Sequence, residues 1–364
     1  MEGPRAPLEN ELPTVFDFLN KQLRAREGWS IINEYPAAFS ATNTSNMRII
    51  TNEKKEVLSH AVMRPVIVKT PVGLFKIAAI GSVVTSDAAR NQGLSKQILE
   101  SCLQSAHASG CDIAILWTNL YDFYRKLGFE LGGSEIALVL TNEFESSNPA
   151  LKILDSAKVS ADAIHRLYSQ HTVSSLRTLE ETSKYLQIPN TRVYTAWDQA
   201  GVLKAYAVEG KGADLNGYIH EWGGGVSELL TLFAHIRKVQ NRPITVISPS
   251  HSENLIRQLK AKGATQNEGF LGMIKLLNTS TLFGKIKRHS RALGVENLVL
   301  EQRDGQFVFG TGDNVFKTDS EADIVRLIFG PQKASQIYKF DKQTTEILEK
   351  VLPLDLWIWG WDSI

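Results

Sequence analysis

Residues 82–99, "SVVTSDAARNQGLSKQIL", join a β-rich run to a helix and have the residue types of an anion-binding turn. A helix N-terminus has unpaired N–H groups and a partial positive charge, so it can bind a pyrophosphate. A glycine before the helix would let the ligand approach the backbone, and the small serine would leave room for it. The amides and rim charges would come from Arg90, Asn91, Gln92, Gly93, Leu94, Ser95 and Lys96. A plain polar loop before an amphipathic helix is the alternative.

A second motif, "FYRKLGFELGG", follows after one more strand. It places Tyr124 one helical turn before Gly128 and Phe129, at the end of a short helix. A phenol with a pKa near ~10 can give a proton to a basic leaving group at neutral pH. The alternative is that the tyrosine and phenylalanine are core residues.

The two motifs together, with their strands, resemble the GCN5-related N-acetyltransferase (GNAT) family over residues 47–142. The resemblance implies acetyl-CoA as co-substrate, bound where two parallel strands splay apart. Its pantetheine arm would pair with the backbone of Val83, Val84 and Thr85, and its pyrophosphate would lie on the amides of residues 91–96. Asn119, at the end of the second strand, would be near the reactive end.

The resemblance also implies direct attack of an amine on the thioester in a ternary complex. Tyr124 would protonate the departing thiolate, and the amide of Val83 would polarise the carbonyl. The acceptor is expected to be a small-molecule amine, with a peptide amine as an alternative. A polycationic acceptor would need acids such as Asp122 and Glu221 in its pocket. A non-catalytic acyl-CoA-binding regulatory protein and a protein N-acetyltransferase are the competing functions.

The surrounding elements predict an α/β (α+β) protein with tandem GNAT folds, whose mixed, mostly antiparallel sheets are flanked by helices. Three β-rich runs form a meander before the loop, and a helix over 93–109 and the buried strand "CDIAILWTN" follow it. A similar order recurs over 156–278, where "HEWGGGVSELL" replaces the loop and no tyrosine precedes the later glycine. This second copy is predicted to be degenerate, with His220 and Glu221 either lining a pocket or forming a satisfied pair.

The end of the chain is predicted to be a small α+β unit with a basic helix, a hairpin turning at Asp304-Gly305 and the ending "LPLDLWIWGWDSI". The layout resembles the tandem-GNAT branch with a sterol-carrier-protein-like domain, typified by the enhanced-intracellular-survival aminoglycoside acetyltransferases. In that branch the terminal carboxylate is the general base, which here would be that of Ile364. The alternative is a solvated carboxylate after tryptophans that belong to the core.

The predicted division is a flexible N-terminal extension (1–12), a GNAT domain with the acetyl-CoA site (13–150), a degenerate GNAT-like domain (151–278) and the sterol-carrier-like domain (279–364).

Composition narrows the remaining choices. The chain has 364 residues, 43% hydrophobic and 22% charged, and a formal net charge of +1, which predicts neither nucleic-acid nor membrane binding. Cys102 and Cys111 are expected to be buried hydrophobes in a reducing compartment, and no signal peptide or membrane span is recognisable. A cytoplasmic protein is therefore predicted. The histidines lack metal-ligand spacing, so no metal is expected. A homo-oligomer is left open.

Overall fold

The computed structural model describes residues 1–25, 28–146, 148–155 and 158–364. It has mixed sheets flanked by helices, as predicted for the fold class. The strands are β1 (Glu2–Arg5), β2 (Met47–Thr51), β3 (Val57–Thr70), β4 (Gly73–Thr85), β5 (Ile113–Leu116), β6 (Glu130–Gly132), β7 (Glu135–Leu140), β8 (Lys152–Asp155), β9 (Ser174–Ser175), β10 (Arg192–Trp197), β11 (Leu203–Lys211), β12 (Asp214–Gly224), β13 (Ile244–Ser248), β14 (Thr265–Gly269), β15 (Gly272–Leu276), β16 (Leu298–Arg303), β17 (Gln306–Thr311) and β18 (Asn314–Thr318). The α-helices are α1 (Leu12–Leu23), α2 (Ile31–Glu34), α3 (Leu94–Ala108), α4 (Tyr121–Arg125), α5 (Ala161–Tyr168), α6 (Leu179–Tyr185), α7 (Val226–Gln240), α8 (Glu253–Ala261), α9 (Thr279–Ala292), α10 (Glu321–Phe329), α11 (Ala334–Ile337) and α12 (Lys342–Val351).

The first sheet has the order β1-β2-β3-β4-β5-β15-β6, with β9 added beside β3. Its neighbours are antiparallel apart from β4 and β5, which are parallel. Helix α3 covers one face with the predicted apolar stripe, since Leu94, Ile98, Leu99, Cys102, Leu103 and Ala106 are all buried. The meander and the helix after the loop are thus confirmed.

The second sheet has the order β14-β7-β13-β12-β11-β10-β8 and the same central arrangement. Strands β10, β11 and β12 are antiparallel, and β12 pairs in parallel with β13. Helices α7 and α8 cover the apolar cluster on one face. Both sheets therefore contain a meander followed by one parallel pair.

The two sheets exchange strands near their edges. Strand β15, from the second half of the chain, lies between β5 and β6 of the first sheet. Strand β7 lies between β13 and β14 of the second sheet. Each sheet therefore depends on both halves of the chain, and the predicted boundary near residue 150 divides the chain but not the sheets.

The C-terminal unit packs against the face of the first sheet opposite α3. Phe283 of α9 and Ile324 and Ile328 of α10 share one apolar cluster with Ile77 of β4 and Ile115 of β5. Its three strands follow in the order β16-β17-β18, and Asp304 has the positive φ of a hairpin turn. This packing places the end of the chain beside the first sheet.

One local prediction needs correction, and two further features were not predicted. The N-terminal extension over 1–12 is not loose, because β1 pairs with the exposed edge of β2 and α1 begins at Leu12. Helix α6 begins only at Leu179, because the backbone just before it, at residues 174–175, pairs with β3. Strand β14 has too little apolar alternation to have been predicted.

Candidate active site in the first sheet

The parallel strands β4 and β5 separate and leave a gap. Their pairing runs from Ile77–Ile113 to Ala79–Ile115 and stops there. Beyond that point β4 continues to Thr85 and pairs only with β3 on its other side. Residues 80–85, which include the predicted ligand contacts Val83, Val84 and Thr85, thus have one edge free to pair with an extended ligand.

A β-bulge redirects β4 at the start of this edge. Gly81 pairs with Val62 and Val84 with His60, so two residues of β4 oppose one residue of β3. Ser82 has a φ of +48°, and its carbonyl oxygen accepts a hydrogen bond of 2.9 Å from Nδ1 of His60. Burial lowers the pKa of His60 to about 4, so this imidazole is neutral at physiological pH.

The loop after β4 leads directly into α3. Asn91 and Gly93 have φ values of +63° and +74°, and a Cβ placed on Gly93 would have no atom within 4 Å. Leu94 is buried, and the hydroxyls of Ser95 and Thr85 are 2.8 Å apart, which ties the helix start to the strand end. The first helical amides have no partner inside the helix and so remain available to an anion.

The charged side chains of this loop are at its rim. Arg90 pairs with Asp87 at 2.6 Å and Lys96 with Glu100 at 3.7 Å, and all four side chains are largely exposed. Gln92 is also exposed. Exposed pairs of this kind are weak, so both cations could turn toward a phosphate.

Tyr124 of α4 lies beside the gap. It shares an apolar cluster with Leu94 at the start of α3 and Leu116 at the end of β5, and Val83 packs against the same cluster. Only 6% of Tyr124 is exposed, and burial raises the pKa of its phenol to about 12. The hydroxyl therefore keeps its proton at neutral pH. Asn119 is exposed in the turn between β5 and α4.

The end of the chain reaches the other face of β4. A Cβ placed on Gly81 would lie 2.5 Å from the terminal carbon of Ile364 and 2.7 Å from its oxygen. Ile364 packs against the apolar cluster of Phe39, as does Val84. The bulge thus directs Val83 toward Tyr124 and Val84 toward Ile364, and the phenol and the terminal carboxylate lie on opposite faces of one strand.

A comparison with protein families identifies this part of the chain. Residues 9–132 match the family model for an acetyltransferase (GNAT) domain, which spans the gap, the loop and Tyr124. The chain contains a GNAT acetyltransferase domain. This domain match supports an acyltransferase enzyme, and the activity of the family is acyl transfer to amines. No curated protein matches the sequence significantly.

Several solved structures resemble the chain over nearly its full length. A GCN5-related N-acetyltransferase from Anabaena variabilis is 16% identical, with 95% of each chain covered and a TM-score of 0.66. A probable N-acyltransferase from Enterococcus faecalis is 13% identical, with 96% of this chain and 98% of the other covered and a TM-score of 0.69. Eis1 from Mycobacterium abscessus is 11% identical, with 100% and 99% covered and a TM-score of 0.61. At these identities the likeness concerns the fold. The sterol-carrier-like character of residues 279–364 stays a prediction.

In the second sheet a side chain bridges the corresponding gap between β12 and β13. Pairing of β12 with β13 ends at Ile219–Val246, and Nε1 of Trp222 donates a hydrogen bond of 2.9 Å to the carbonyl oxygen of Ile247. The indole therefore bridges the two strands where a cofactor would have to pair. This contact is a physical reason for the degenerate character predicted for this copy.

A buried ion cluster anchors the residues just before the chain end. Arg177 donates to Asp362 at 2.6 and 3.0 Å and to both carboxylate oxygens of Glu221 at 2.7 and 3.0 Å. Arg64 of β3 lies 3.4 Å from the other oxygen of Asp362 and pairs with Glu181 at 2.8 Å. Burial alone would raise the pKa of Asp362, but the two guanidinium groups lower it to about 2. The cluster thus joins the first sheet, the second sheet and the end of the chain.

The two acids suggested for a polycationic acceptor do not come together. Glu221 is buried and already holds Arg177 and the hydroxyl of Tyr206, the latter at 3.0 Å. Asp122 is exposed and pairs with Arg125 at 3.3 Å. His220 donates from Nε2 to the carbonyl oxygen of Gly210 at 2.9 Å, and both His220 and Glu221 also line a small cavity beside Tyr168 and Trp222.

The remaining sequence predictions concern residues away from this site. Cys102 and Cys111 are buried free thiols, and burial raises the pKa of Cys102 to about 12, so neither is set up as a nucleophile. Within the described residues, no group of three or more His, Cys, Asp or Glu side chains is arranged to hold a metal ion. In the same part of the chain, no helix combines the length and apolar character required to span a bilayer.

The ion cluster leads to a stability prediction. Arg177→Gln leaves Glu221 and Asp362 buried without their main cation, which is expected to cost about 3–5 kcal/mol of unfolding free energy. Thermal and urea unfolding would measure the loss. Lys184→Gln, which breaks an exposed pair with Glu180, is the control and should cost less than about 1 kcal/mol. Equal stabilities of the two variants would contradict this account of the cluster.

Proposed function

We propose that this protein is an acetyl-CoA-dependent N-acetyltransferase that transfers the acetyl group directly to a small-molecule amine. The observation that carries the proposal is the free edge of β4 beyond Ala79, which lies next to the N-terminus of α3 in the segment matched by the GNAT model. An extended thioester-bearing arm and a pyrophosphate are the two parts of a ligand that such a gap and such a helix start would hold.

The residues present fit acetyl-CoA as co-substrate. The backbone of Val83, Val84 and Thr85 would pair with the pantetheine arm, and the amides of residues 91–96 would hold the pyrophosphate. Arg90 and Lys96 would add charge at the rim, and Asn119 would lie near the reactive end. When bound, acetyl-CoA supplies the activated acetyl group.

The two proton-transfer groups would act from opposite faces of β4. The amine nitrogen forms a bond to the acetyl carbon and the carbon–sulfur bond breaks. The hydroxyl of Tyr124 gives its proton to the departing sulfur, and the Ile364 carboxylate accepts a proton from the attacking amine. The amide of Val83 would polarise the carbonyl. No acyl-enzyme is required.

The position of the chain end favours a small acceptor. Ile364 already covers β4 at Gly81, which leaves less room there for an extended peptide. Two free buried thiols are consistent with a reducing compartment, so we place the enzyme in the cytoplasm. In this proposal residues 13–150 carry the catalytic domain, 151–278 the degenerate copy and 279–364 the sterol-carrier-like unit.

Binding and turnover should be measured on the same sample. Calorimetric titration with acetyl-CoA is expected to show binding, and a thiol-release assay with a panel of small amines and peptides is expected to show turnover on small amines. Binding without turnover on any amine would favour a regulatory acyl-CoA-binding protein. Turnover on peptides alone would favour a protein N-acetyltransferase, and no binding would overturn the proposal.

Tyr124→Phe removes the proposed acid but keeps the aromatic packing. It should lower kcat about 100-fold or more and leave the Kd for acetyl-CoA nearly unchanged, because the lost proton transfer occurs only in the transition state. Tyr121→Phe, on the same helix but exposed, is the matched control. An equal loss of affinity and turnover in Tyr124→Phe would identify a packing residue instead.

Gly81→Ala introduces a methyl group where the terminal carboxylate lies. Moving the carboxylate should lower kcat about 10- to 100-fold while the melting temperature and the Kd for acetyl-CoA stay the same. Gly284→Ala, at a position with no atom within 4 Å of the new Cβ, is the control. A few residues added after Ile364 should abolish turnover without unfolding. Full activity in the extended protein would exclude the carboxylate as base.

A further inference from the structure

Lys211 forms several hydrogen bonds with the last residues of the chain. It ends β11, is fully buried, and its ammonium donates to the carbonyl oxygens of Gly360 and Ser363 at 3.0 and 2.5 Å. The carbonyl oxygen of Trp361 lies 3.5 Å away and the Ser363 hydroxyl 3.3 Å away. One side chain thus contacts the carbonyl oxygens of three of the four residues 360–363.

These carbonyls need such a donor. The chain after Val351 has no strand, and one 3₁₀ turn, Gly360–Asp362, is the only helical structure described there. Buried carbonyl groups without a hydrogen-bond donor would cost free energy, and an ammonium offers three donors at one point. The Gly360 carbonyl also accepts from the N–H and the hydroxyl of Ser363, at 3.3 and 2.8 Å, so Lys211 matters most for the carbonyls of Trp361 and Ser363, which have no strand partner in the described part of the chain.

The acids around Lys211 have other partners. Asp362 is paired with Arg177 and Arg64, and Asp214 is paired with Arg24 at 3.0 Å. Burial lowers the pKa of the Lys211 amine to about 7, so its protonated form depends on the carbonyls and on the ring of Tyr35, whose centre lies 4.5 Å away and favours a cation. This distribution separates two roles: the ion cluster holds the Asp362 side chain, and Lys211 holds the backbone on either side of it.

We propose that Lys211 is a positioning residue for acyl transfer, which fixes residues 360–363 so that the terminal carboxylate of Ile364 stays against Gly81. The inference rests on the proposed role of that carboxylate as base. Lys211 does not touch the reacting atoms, and its effect passes through the backbone of the chain end.

Lys211→Met in the full-length protein tests the inference, with Lys204→Met as control because Lys204 is on the same strand and half-exposed. Lys211→Met should lower kcat about 10- to 100-fold with an unchanged Kd for acetyl-CoA. Hydrogen–deuterium exchange of the C-terminal peptide should become faster, while the exchange of β4 stays the same. Lys211→Gln, which keeps two N–H donors, should recover part of both effects.

A second measurement separates this inference from the proposed function. In the Gly81→Ala protein, whose turnover is reduced but measurable, Lys211→Met should lower kcat by a smaller factor than in the unaltered protein, because both changes act on the same carboxylate. Unchanged exchange of the C-terminal peptide in Lys211→Met would overturn the inference even if the enzyme is active. If no amine is acetylated, the proposed function fails, but the exchange measurement still decides whether Lys211 fixes the chain end. Should Lys211→Met not fold, Lys211→Gln is used for both measurements.

Discussion

The buried guanidinium of Arg177 is the interaction on which the arrangement of the site depends. Its side chain is 1% exposed, lies between Glu221 and Asp362, and stacks 3.7 Å from the ring centre of Tyr168. A buried ion cluster adds little net stability, since desolvation offsets most of the attraction. What it contributes is position, because each charge tolerates few other arrangements once water is excluded. Asp362 is thereby fixed two residues before the terminal carboxylate.

The β-bulge in β4 has an equally specific consequence. Without the extra residue, the alternation of the strand would direct Val83 and Gly81 to the same face. With it, Val83 faces the cluster of Tyr124 and Val84 shares the face of Gly81 and Ile364. The hydrogen bond from His60 to the Ser82 carbonyl stabilises the positive φ that this turn in the strand requires. A single backbone irregularity thus places the phenol of Tyr124 and the carboxylate of Ile364 on opposite faces of β4.

The local parts of this site could be predicted from sequence. The loop glycine, the stripe of α3 and the tyrosine before Gly128 are all signalled within a few tens of residues. The residues that hold the chain end could not, because their partners are far away along the chain. Lys211 and Ser363 are 152 residues apart, Arg177 and Asp362 are 185 apart, and Arg64 and Asp362 are 298 apart. The alternation of apolar residues also does not predict which strands join the other sheet. The sequences of β7 and β15 resemble those of other buried strands.

The two sheets share the same central arrangement of strands, but among the described residues a side chain bridges the gap between the parallel strands only in the second. The last residue of β4 that pairs with β5 is Ala79, and the last residue of β12 that pairs with β13 is Ile219. Gly81 and Glu221 each lie two residues after these positions, and Ser82 and Trp222 each lie three residues after them. In β4, Gly81 leaves space for the carboxylate at the end of the chain. Ser82 belongs to the bulge, beyond which β4 remains apart from β5. In β12, Glu221 supplies a carboxylate that pairs with Arg177, and the indole of Trp222 is hydrogen-bonded to the backbone of β13. Glu221, next to Trp222 at this position, binds Arg177, which in turn binds Asp362 near the chain end. The contacts that close the gap in the second sheet therefore lie next to those that hold the chain end against the first sheet.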